Sequence, residues 1–433
     1  MRTSTTLILA ALAALPGCAC DAVPAGALVD CNASQVLPDA VATDILFVID
    51  DSGSMSEEQA NLRDNLGAFI DALIASPVQN DFRIGVTSTS VEEFTDPATG
   101  LPGQAYTAGP AAALPVPYPH GALVAVRQGA GGAVTPGDLD YDLAANPATS
   151  GWGGARVLDK GDGSAAALAA LARDFKANVL LGLGGSGKEQ PLRAARLALT
   201  DRLRDANAGF LRPGARLAIV IVTDEDDCSD TASPERMLSN DACHLLANKA
   251  ATPPRMDPVE DFAAFLFGPI DGELRDVAVG VIAGFSPSAT DPSTLVPALC
   301  RTVVNRVVVG QAYDRADRLA ALQADVGAAR MQLGSICDPS FAATLRRFGE
   351  ILMPSTLPLQ GAPADWRMLA VTLTKADGRQ VTCPVAAEGT AGAAAAAAVY
   401  SPPRFGRPAQ VTFQNECTLA LGDRIDLHVV CAN

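Results

Sequence analysis

The chain has 433 residues, of which 48% are hydrophobic and 5% aromatic, and it carries a formal net charge of -16 with a pI near 4.6. A chain of this length and composition can bury a sizeable core, which excludes a mainly disordered protein. Because so acidic a surface repels phosphate groups, we expect no nucleic-acid partner; the charge suits a cation or a basic partner without identifying either.

Residues 1–18 have the pattern of an export signal. Arg2 supplies a positive charge, and Leu7 to Leu15 form an apolar core that is too short to span a membrane as a stable helix. The sequence LPGC, which ends at Cys18, resembles the bacterial lipobox, in which the cysteine is acylated after cleavage, although Pro16 is unusual there. We therefore expect membrane attachment only through a lipid on Cys18, at the outer membrane or cell surface, and otherwise a periplasmic or secreted protein.

Export would place the 10 cysteines of the chain where disulfides persist. Cys228 with Cys243, and Cys300 with Cys337, each bracket a predicted loop, so we predict these disulfides and leave the other pairings open. If Cys18 carries a lipid, an odd number of cysteines remains, and one would be free or paired between chains. Because no C-x-x-C occurs, a zinc or thioredoxin-like site has little support.

The next segments alternate between loose and apolar sequence. Residues 19–42 are predicted to form a tether. The run TDILFVID at 43–50 predicts a buried parallel strand, which is followed by an amphipathic helix at 57–75 and a strand at 82–90. A long insertion rich in Gly, Pro, Ala and Thr is then expected at about 91–163.

The alternation continues in the middle of the chain. Helices are predicted at 164–176 and 189–205, and an apolar strand at 216–224. A second insertion is expected at about 225–275, with a short helix at 258–267 inside it.

The last part of the chain changes character. A buried strand is predicted at 276–284, with helices at 315–328 and 339–352. Alternating strands and helices indicate an α/β fold with a doubly wound, mostly parallel sheet over 43–353. Short Val- and Thr-rich strands separated by turns predict a small C-terminal β module at 354–433.

The sequence VIDDSGSMS places Asp50, Ser52 and Ser54 directly after the first predicted strand and before a helix. The carboxyl ends of parallel strands are where ligand crevices form in such folds. One carboxylate and two hydroxyls on a tight turn offer hard oxygen ligands of low total charge, which suit a small hard cation such as Mg²⁺. These three residues are the first candidates for a metal site.

The run DILFVIDDSGSM resembles the first strand and metal loop of a von Willebrand factor A-type domain, also called an integrin I-like domain. That family forms a metal-ion-dependent adhesion site from D-x-S-x-S on one loop, a Thr on a second and an Asp on a third. Here Ser186 stands at the Thr position, with Leu192 where the family has an apolar residue, and Asp224 ends its strand as VTD. The resemblance covers about 43–352, interrupted by the two insertions.

This resemblance implies a Rossmann-like von Willebrand A fold and a binding protein rather than an enzyme. Ser52 and Ser54 would bind the ion directly, Asp50 and Asp224 directly or through water, and Ser186 would complete the set. The ion would be Mg²⁺, with Mn²⁺ or Ca²⁺ as alternatives. An open coordination position would accept an Asp or Glu side chain of a protein partner, while the oligomeric state stays open.

Two other functions compete with this interpretation. The segment from Gly182 to Lys188 fits G-x-x-x-x-G-K, the start of a phosphate-binding loop, and Asp224 with Glu225 would then resemble the acidic strand end of an NTPase. The next position should be Ser or Thr, and it is Glu189, so this alternative is weaker. The other alternative is a structural envelope protein whose metal loop is non-functional.

Three further acidic patterns have simpler interpretations. Asp226, Asp227 and Asp230 are expected to form a solvated acidic loop rather than a second metal site. The sequence DLDYD at 138–142 imitates a calcium loop but lacks its Gly and its closing Glu. The pair of Ser54 and Glu57 also matches the helix-capping pattern S-x-x-E, which is compatible with metal binding.

Overall fold

The structure is a computed structural model, and it describes residues 29–30, 33–36, 40–74, 79–91, 119–128, 134–139, 155–183, 185–230, 256–328, 330–351, 356–359, 362–363, 365–375, 377–393, 395–403, 409–419, 423–428 and 430–431. The predicted signal segment with Cys18, the expected second-insertion residues 231–255 with Cys243, and most of the first insertion lie outside these residues. Expectations about those segments stay predictions.

A 6-stranded sheet forms the centre of the α/β part of the chain. Its strands are β1 (Ala40–Ile49), β2 (Gln79–Ser88), β3 (Val157–Asp159), β4 (Arg216–Val222), β5 (Val277–Ala283) and β6 (Met331–Ser335). They lie in the order β6-β5-β4-β1-β2-β3, and the edge strand β3 alone among them runs antiparallel to its neighbour. The direction of winding therefore reverses between β1 and β4, which is the doubly wound pattern.

Helices cover both faces of this sheet. They are α1 (Ser56–Ile74), α2 (Ala165–Asn178), α3 (Pro191–Ala198), α4 (Val259–Phe267), α5 (Asp317–Val326) and α6 (Ala342–Ile351). Apolar residues of α1, α2 and α6 pack on one face, and those of α3, α4 and α5 pack on the other. Strands β4 and β5 are consequently buried along their whole length, as in a parallel sheet covered on both sides.

Aromatic rings fill one of the two helix layers. Phe47 of β1 contacts Phe69 of α1 and Phe175 of α2 edge-on, with ring centroids 5.4 Å and 4.9 Å apart. Because these three rings are fully buried, they fix α1 and α2 against β1. The fold is thus mixed α/β, with a largely parallel central sheet.

A small β module follows the α/β part. One 4-stranded sheet contains Thr356–Pro358, Gln410–Phe413, Ala398–Ser401 and Val385–Ala387. The other contains Gln380–Thr382, Ala370–Thr374, Arg424–His428 and Ala33–Val36. Apolar residues of both sheets form one core, which includes the disulfide between Cys383 and Cys417.

Several short strands lie where the sequence indicated none, and two of them extend larger sheets. Ala33–Val36, inside the expected tether at 19–42, pairs antiparallel with Arg424–His428. The edge strand β3 lies inside the expected insertion at 91–163 and pairs with β2. Strands of three or four residues show too little alternation to be recognised, because pairing with a distant partner decides their conformation.

Two β-hairpins follow β5, where the sequence predicted no strand. Phe285–Pro287 pairs with Leu295–Pro297, and Arg301–Val304 pairs with Val307–Gln311. We call the second one the valine hairpin. Its sequence, RTVVNRVVVGQ, is Val-rich but interrupted by Asn305 and Arg306, which form the turn.

Disulfides join several of these elements. Cys300 and Cys337, a pair predicted from the sequence, form a disulfide with Cα atoms 6.0 Å apart, and Cys383–Cys417 is an additional one that the sequence left unassigned. Cys228 is disulfide-bonded, while Cys243, its predicted partner, lies outside the described residues. In the described part of the chain, no helix has the length and apolar character needed to cross a membrane.

Candidate metal site

Three loops meet at the edge of the sheet where the parallel strands end. The first loop (50–55) follows β1, the second loop (182–190) precedes α3, and the third loop (223–230) follows β4. β1 and β4 are neighbours at the point where the winding reverses, which is where doubly wound sheets form ligand crevices. The backbone N–H of Asp50 donates to the carbonyl oxygen of Val222 over 2.9 Å, so the first and third loops leave the sheet side by side.

Asp50 is the fully buried centre of the first loop. One carboxylate oxygen accepts a hydrogen bond from the backbone N–H of Ser52, and the other accepts one from the hydroxyl of Thr223, each over 2.8 Å. The hydroxyl oxygens of Ser52 and Ser54 are 3.0 Å apart. The structure therefore brings the three residues of D-x-S-x-S together, and Thr223 joins them from the third loop.

Gln59 of α1 holds the second loop against the first. Its side-chain amide donates to the carbonyl oxygens of Asp50 and Gly182, 2.9 Å in each case. The amide oxygen of Gln59 accepts a hydrogen bond from the backbone N–H of Gly182 over 3.1 Å. Sequence reasoning did not single out Gln59, because a Gln in the first turns of a helix is ordinary until its loop partner is known.

Ser186 is buried and is connected to the first loop through Ser90 and Asp51. The backbone N–H of Ser186 donates to the Ser90 hydroxyl oxygen over 2.8 Å, and that hydroxyl donates to the Asp51 carboxylate over 2.7 Å. The Ser186 hydroxyl oxygen accepts a hydrogen bond from the backbone N–H of Lys188 over 2.9 Å. A side chain at Gly185 would collide with the Asp51 carboxylate, so the close approach of these two loops requires glycine there.

Three carboxylates from the three loops form a cluster of the kind that binds metal ions. Asp50, Glu189 and Glu225 each place one carboxylate oxygen within 4.8 Å of the others. Asp50 and Glu189 are fully buried, and Glu225 is partly buried. Burial, reinforced by the charges of Asp50 and Asp224, raises the pKa of Glu189 well above its ordinary value, although a hydrogen bond with Glu225 opposes the shift.

Asp224 lies beside this cluster, and its carboxylate is the one in greatest need of a hydrogen-bond donor or a cation. Its side chain is fully buried, and neither carboxylate oxygen has a hydrogen-bond partner among the described residues. Burial, together with the charges of Asp50 and Glu225, raises the pKa of Asp224 to about 9, while the nearby Ser54 hydroxyl opposes the shift. Buried polar groups normally have hydrogen-bond partners. The burial of Asp224 therefore requires either a proton on its carboxyl group or a cation bound to it.

The donor set fits a divalent cation. Carboxylates and hydroxyls are the hard oxygen ligands that Mg²⁺, Mn²⁺ and Ca²⁺ prefer, and here they come from three rigidly held loops. A bound cation would also reverse the local electrostatics, because it would favour the ionised form of each carboxyl group whose pKa is now raised. The arrangement can therefore hold a metal ion where the three loops meet.

The neighbouring acidic residues of the third loop have a different role from the one expected. The sequence predicted a solvated loop, but Asp226, Asp227 and Asp230 are all fully buried. Asp226 accepts hydrogen bonds from the backbone N–H of Arg318 at the start of α5, and Asp227 forms a 2.8 Å ion pair with the Arg318 guanidinium. These carboxylates tie the third loop to α5, because burial without such partners would be too costly.

Lys188 does not fit the phosphate-binding alternative. Its ammonium group is fully buried and lies 3.7 Å from a carboxylate oxygen of Asp230, which is equally buried. A phosphate-binding lysine must reach the ligand, whereas this one faces an internal carboxylate next to Glu189. The excess of carboxylates around the second and third loops would also repel a nucleotide phosphate.

Sequence reasoning missed Glu189 and Glu225 as candidate metal ligands. In the sequence, Glu189 stands out only as a departure from the phosphate-loop pattern, and Glu225 only as a neighbour of Asp224. The sequence does contain an indication of them, because both acidic residues lie in loops at the predicted carboxyl edge of the parallel sheet. Recognising it required knowing that the second and third loops approach each other, as the 2.7 Å hydrogen bond from the Cys228 N–H to the Glu189 carbonyl oxygen shows.

Comparison with known proteins gives only weak likenesses. No protein-family model and no curated protein matches the chain. Among solved structures, the pilus adhesin SpaC from Lactobacillus rhamnosus GG is 10% identical, with 92% of this chain and 39% of that chain covered and a TM-score of 0.31. The tip pilin GBS104 from Group B Streptococcus agalactiae is 9% identical, with 93% and 80% covered and a TM-score of 0.32.

The human COPII-coat protein Sec24c is 8% identical, with 93% of this chain and 46% of that chain covered and a TM-score of 0.37. The chain thus spans less than half the length of the SpaC and Sec24c structures. Bacterial pilus adhesins are among the structures that this chain is similar to, but so is a coat protein, and all three TM-scores are low. The functional conclusion therefore depends on the site itself.

Proposed function

We propose that this chain is an exported surface binding protein that holds a divalent cation at the candidate metal site and contacts a carboxylate of a protein partner through that ion. The observation on which this depends is Asp224, a fully buried carboxylate that the described residues leave largely unsatisfied, with the Ser54 hydroxyl as the donor nearby, beside Asp50, Glu189 and Glu225. A cation would offset the repulsion among these groups and coordinate the Asp224 carboxylate oxygens.

The sequence motif supports the same function. D-x-S-x-S on the first loop resembles the metal loop of von Willebrand factor A-type domains, and this loop lies at the carboxyl edge of a doubly wound sheet, as the assignment requires. In this assignment Asp50, Ser52, Ser54, Ser186 and Asp224 hold the ion, and an open coordination position accepts an Asp or Glu of the partner. No residue of the site is assigned a catalytic role.

The additional carboxylates bear on the choice of ion. With Glu189 and Glu225 added to Asp50 and Asp224, the site contains more negative charge than the sequence motif implied. Ca²⁺ accepts six to eight oxygen ligands in flexible geometry, whereas Mg²⁺ demands an octahedral set and retains several waters. The motif-based assignment proposes Mg²⁺, and the added carboxylates are the reason to expect that Ca²⁺ and Mn²⁺ bind as well.

The disulfides support export. Cys300–Cys337 and Cys383–Cys417 would form and persist in an oxidising compartment such as the periplasm or the cell surface. Within this proposal, a lipid on Cys18 anchors the protein to the membrane.

One observation favours a second candidate, a structural envelope protein whose metal loop is non-functional. Because the pKa of Asp224 is raised to about 9, its carboxyl group can be neutral at pH 7 without any ion. A protonated cluster would then be a buried polar core that joins the three loops. The two candidates differ in whether a metal ion binds, which can be measured directly.

Isothermal titration calorimetry with Mg²⁺, Mn²⁺ and Ca²⁺ tests the proposal. We expect one site in the purified protein, and its affinity should fall by at least about tenfold in Asp224→Asn, which keeps the shape of the side chain but removes its charge. Asp71→Asn is the matched control, because Asp71 is exposed on α1 and lies outside the three loops. Absence of binding for all three ions would reject the proposal in favour of the structural role.

A further inference from the structure

Exposed apolar residues are concentrated in one part of the described chain. Between residues 296 and 313, six large hydrophobic side chains are between 39% and 63% exposed; they are Val296, Leu299, Val303, Val304, Val307 and Tyr313. Single exposed apolar residues are normal, but a cluster of them usually marks a surface that another molecule covers. Val304 and Val307, which are paired across the valine hairpin and share one of its faces, supply the centre of this group.

The same segment has an unusual charge for this protein. Residues 292–313 contain no Asp or Glu, whereas Arg301 and Arg306 of the valine hairpin are both exposed. The chain as a whole carries a net charge of -16. The base of the hairpin contacts Glu58 of α1, so an acidic segment would be attracted by the exposed Arg301 and Arg306 and not by the hairpin as a whole.

The valine hairpin is attached directly to the candidate metal site. Just after its second strand, the backbone N–H of Tyr313 donates to the carbonyl oxygen of Asp224 over 2.8 Å. At the end of that strand, the N–H of Gln311 donates to the carboxylate of Glu58, at the start of α1, over 3.0 Å. The disulfide between Cys300 and Cys337 fixes the base of the first strand. The apolar group and the metal loops thus form one rigid region.

The turn of the valine hairpin has Arg306 at a position where the backbone conformation favours glycine. Asn305 and Arg306 have φ angles of 51° and 69°, the left-handed values of a two-residue turn between Val304 and Val307. Glycine is the residue that normally occupies the second of these positions, because it adopts positive φ without strain. An arginine at such a position, exposed at the end of the hairpin, indicates that its side chain has a function that outweighs the strain.

We propose that the valine hairpin is a docking surface for an acidic, apolar segment of a protein partner, adjacent to the carboxylate that the metal ion binds. This inference rests on the proposed function for the role of the ion, but the contact with the hairpin can be measured separately. The valines would bury apolar side chains of the segment, and Arg301 and Arg306 would pair with its acidic residues.

Selection from a phage-displayed library of random peptides on the full-length protein tests this inference. Peptides are selected in Mg²⁺ and eluted first with chelator and then with acid, so that metal-dependent and metal-independent binders are collected separately. We expect the chelator-eluted peptides to contain Asp or Glu beside apolar residues. Their affinity should fall at least about tenfold for the double variant Val304→Ser/Val307→Ser, which changes the cross-strand pair, and for Arg306→Gly.

The variants separate binding from folding. Arg306→Gly relieves the left-handed backbone, so its thermal stability should be unchanged or raised while binding is weakened. Both hairpin variants should bind metal normally by calorimetry. Met368→Ser, which removes another exposed apolar side chain in the C-terminal module, should leave peptide binding unchanged.

The possible outcomes are distinct. Metal-dependent peptides that bind the hairpin variants with full affinity would overturn this inference and leave the proposed function intact. Hairpin-dependent acidic peptides that bind equally well in chelator would support the docking surface and reject the metal-dependent contact. Selection of no acidic peptide, or loss of phosphatidylglycerol-vesicle binding in the variants, would overturn the inference, the second result by identifying a lipid surface instead.

Discussion

At the scale of single residues, Asp224 determines how the site responds to pH. Its pKa of about 9 in the metal-free fold is far above its ordinary value of 3.8, because the side chain is buried beside Asp50 and Glu225. Between pH 3.8 and about pH 9, the folded state therefore keeps a proton on Asp224, whereas the unfolded state has released it. The contribution of this proton to stability is fully present below pH 3.8 and is lost as the pH rises towards 9.

We accordingly predict that the metal-free protein becomes less stable from pH 5 to pH 8.5, by at most about 1.4 kcal/mol per pH unit for one proton. The measurement is urea unfolding in chelator across that range. Saturating Ca²⁺ or Mg²⁺ should flatten the dependence, because the ion then replaces the proton. Stability in chelator that does not change with pH, or that rises, would show that Asp224 is ionised without a metal.

Glu189 gives a second prediction at this scale. It is fully buried, and its carboxylate lies within 4.8 Å of those of Asp50 and Glu225. Glu189→Gln should weaken metal binding by about tenfold or more, and it should raise the melting temperature of the metal-free protein above neutral pH, because the buried side chain can no longer ionise beside Asp50 and Asp224. Calorimetry and thermal unfolding measure the two effects. An unchanged affinity would show that Glu189 is not a ligand.

The site residues show what a sequence can and cannot reveal. Asp50, Ser52 and Ser54 were recognisable, because a local turn after a buried strand brings them together within five residues. Glu189 and Glu225 are not adjacent to that turn in the sequence, and only the approach of separate loops unites them with Asp50. Long-range proximity of this kind has no local signal.

At the scale of secondary-structure elements, the Cys300–Cys337 disulfide connects the valine hairpin to the segment after β6. The two cysteines are separated by 37 positions, so replacing both by Ser should cost about 3–4 kcal/mol of stability through the loop-closure entropy of the unfolded chain. Because Tyr313 binds the third loop, we also predict weaker metal binding in this double variant. Thermal unfolding and calorimetry provide the two measurements.

The matched control is the double variant Cys383→Ser/Cys417→Ser, which removes a disulfide of nearly equal separation, 34 positions, inside the C-terminal module. It should cost similar stability and leave metal affinity unchanged. Equal metal affinity in the wild type and in both double variants would show that the hairpin does not hold the metal loops in place.

Long, strongly patterned elements were predictable, and short paired ones were not. The helix predicted at 57–75 is observed at Ser56–Ile74, and the strand predicted at 276–284 is observed at Val277–Ala283, because each has a clear period or a continuous apolar run. The valine hairpin has exposed valines, so its sequence lacks the alternation of apolar and polar residues that marks a half-buried strand. Its existence depends on the turn at Asn305 and Arg306.

At the scale of the whole molecule, both ends of the described chain belong to the C-terminal module. Ala33–Val36 extends the sheet that contains Arg424–His428, and Val29–Asp30 pairs with Val430–Cys431. The proposed lipid on Cys18 would therefore attach the protein to the membrane next to this module. The metal loops belong instead to the carboxyl edge of the central sheet.

The central claim is that a metal ion binds where the three loops meet, and a crystal structure grown with Mn²⁺ tests it most directly. The anomalous difference map should show one peak about 2.0–2.5 Å from oxygens of Asp50 and the serines of the first loop, with Asp224 and Glu189 or Glu225 nearby. A hydrogen-bonded water or no density at that position, in crystals grown with excess Mn²⁺, would contradict the claim.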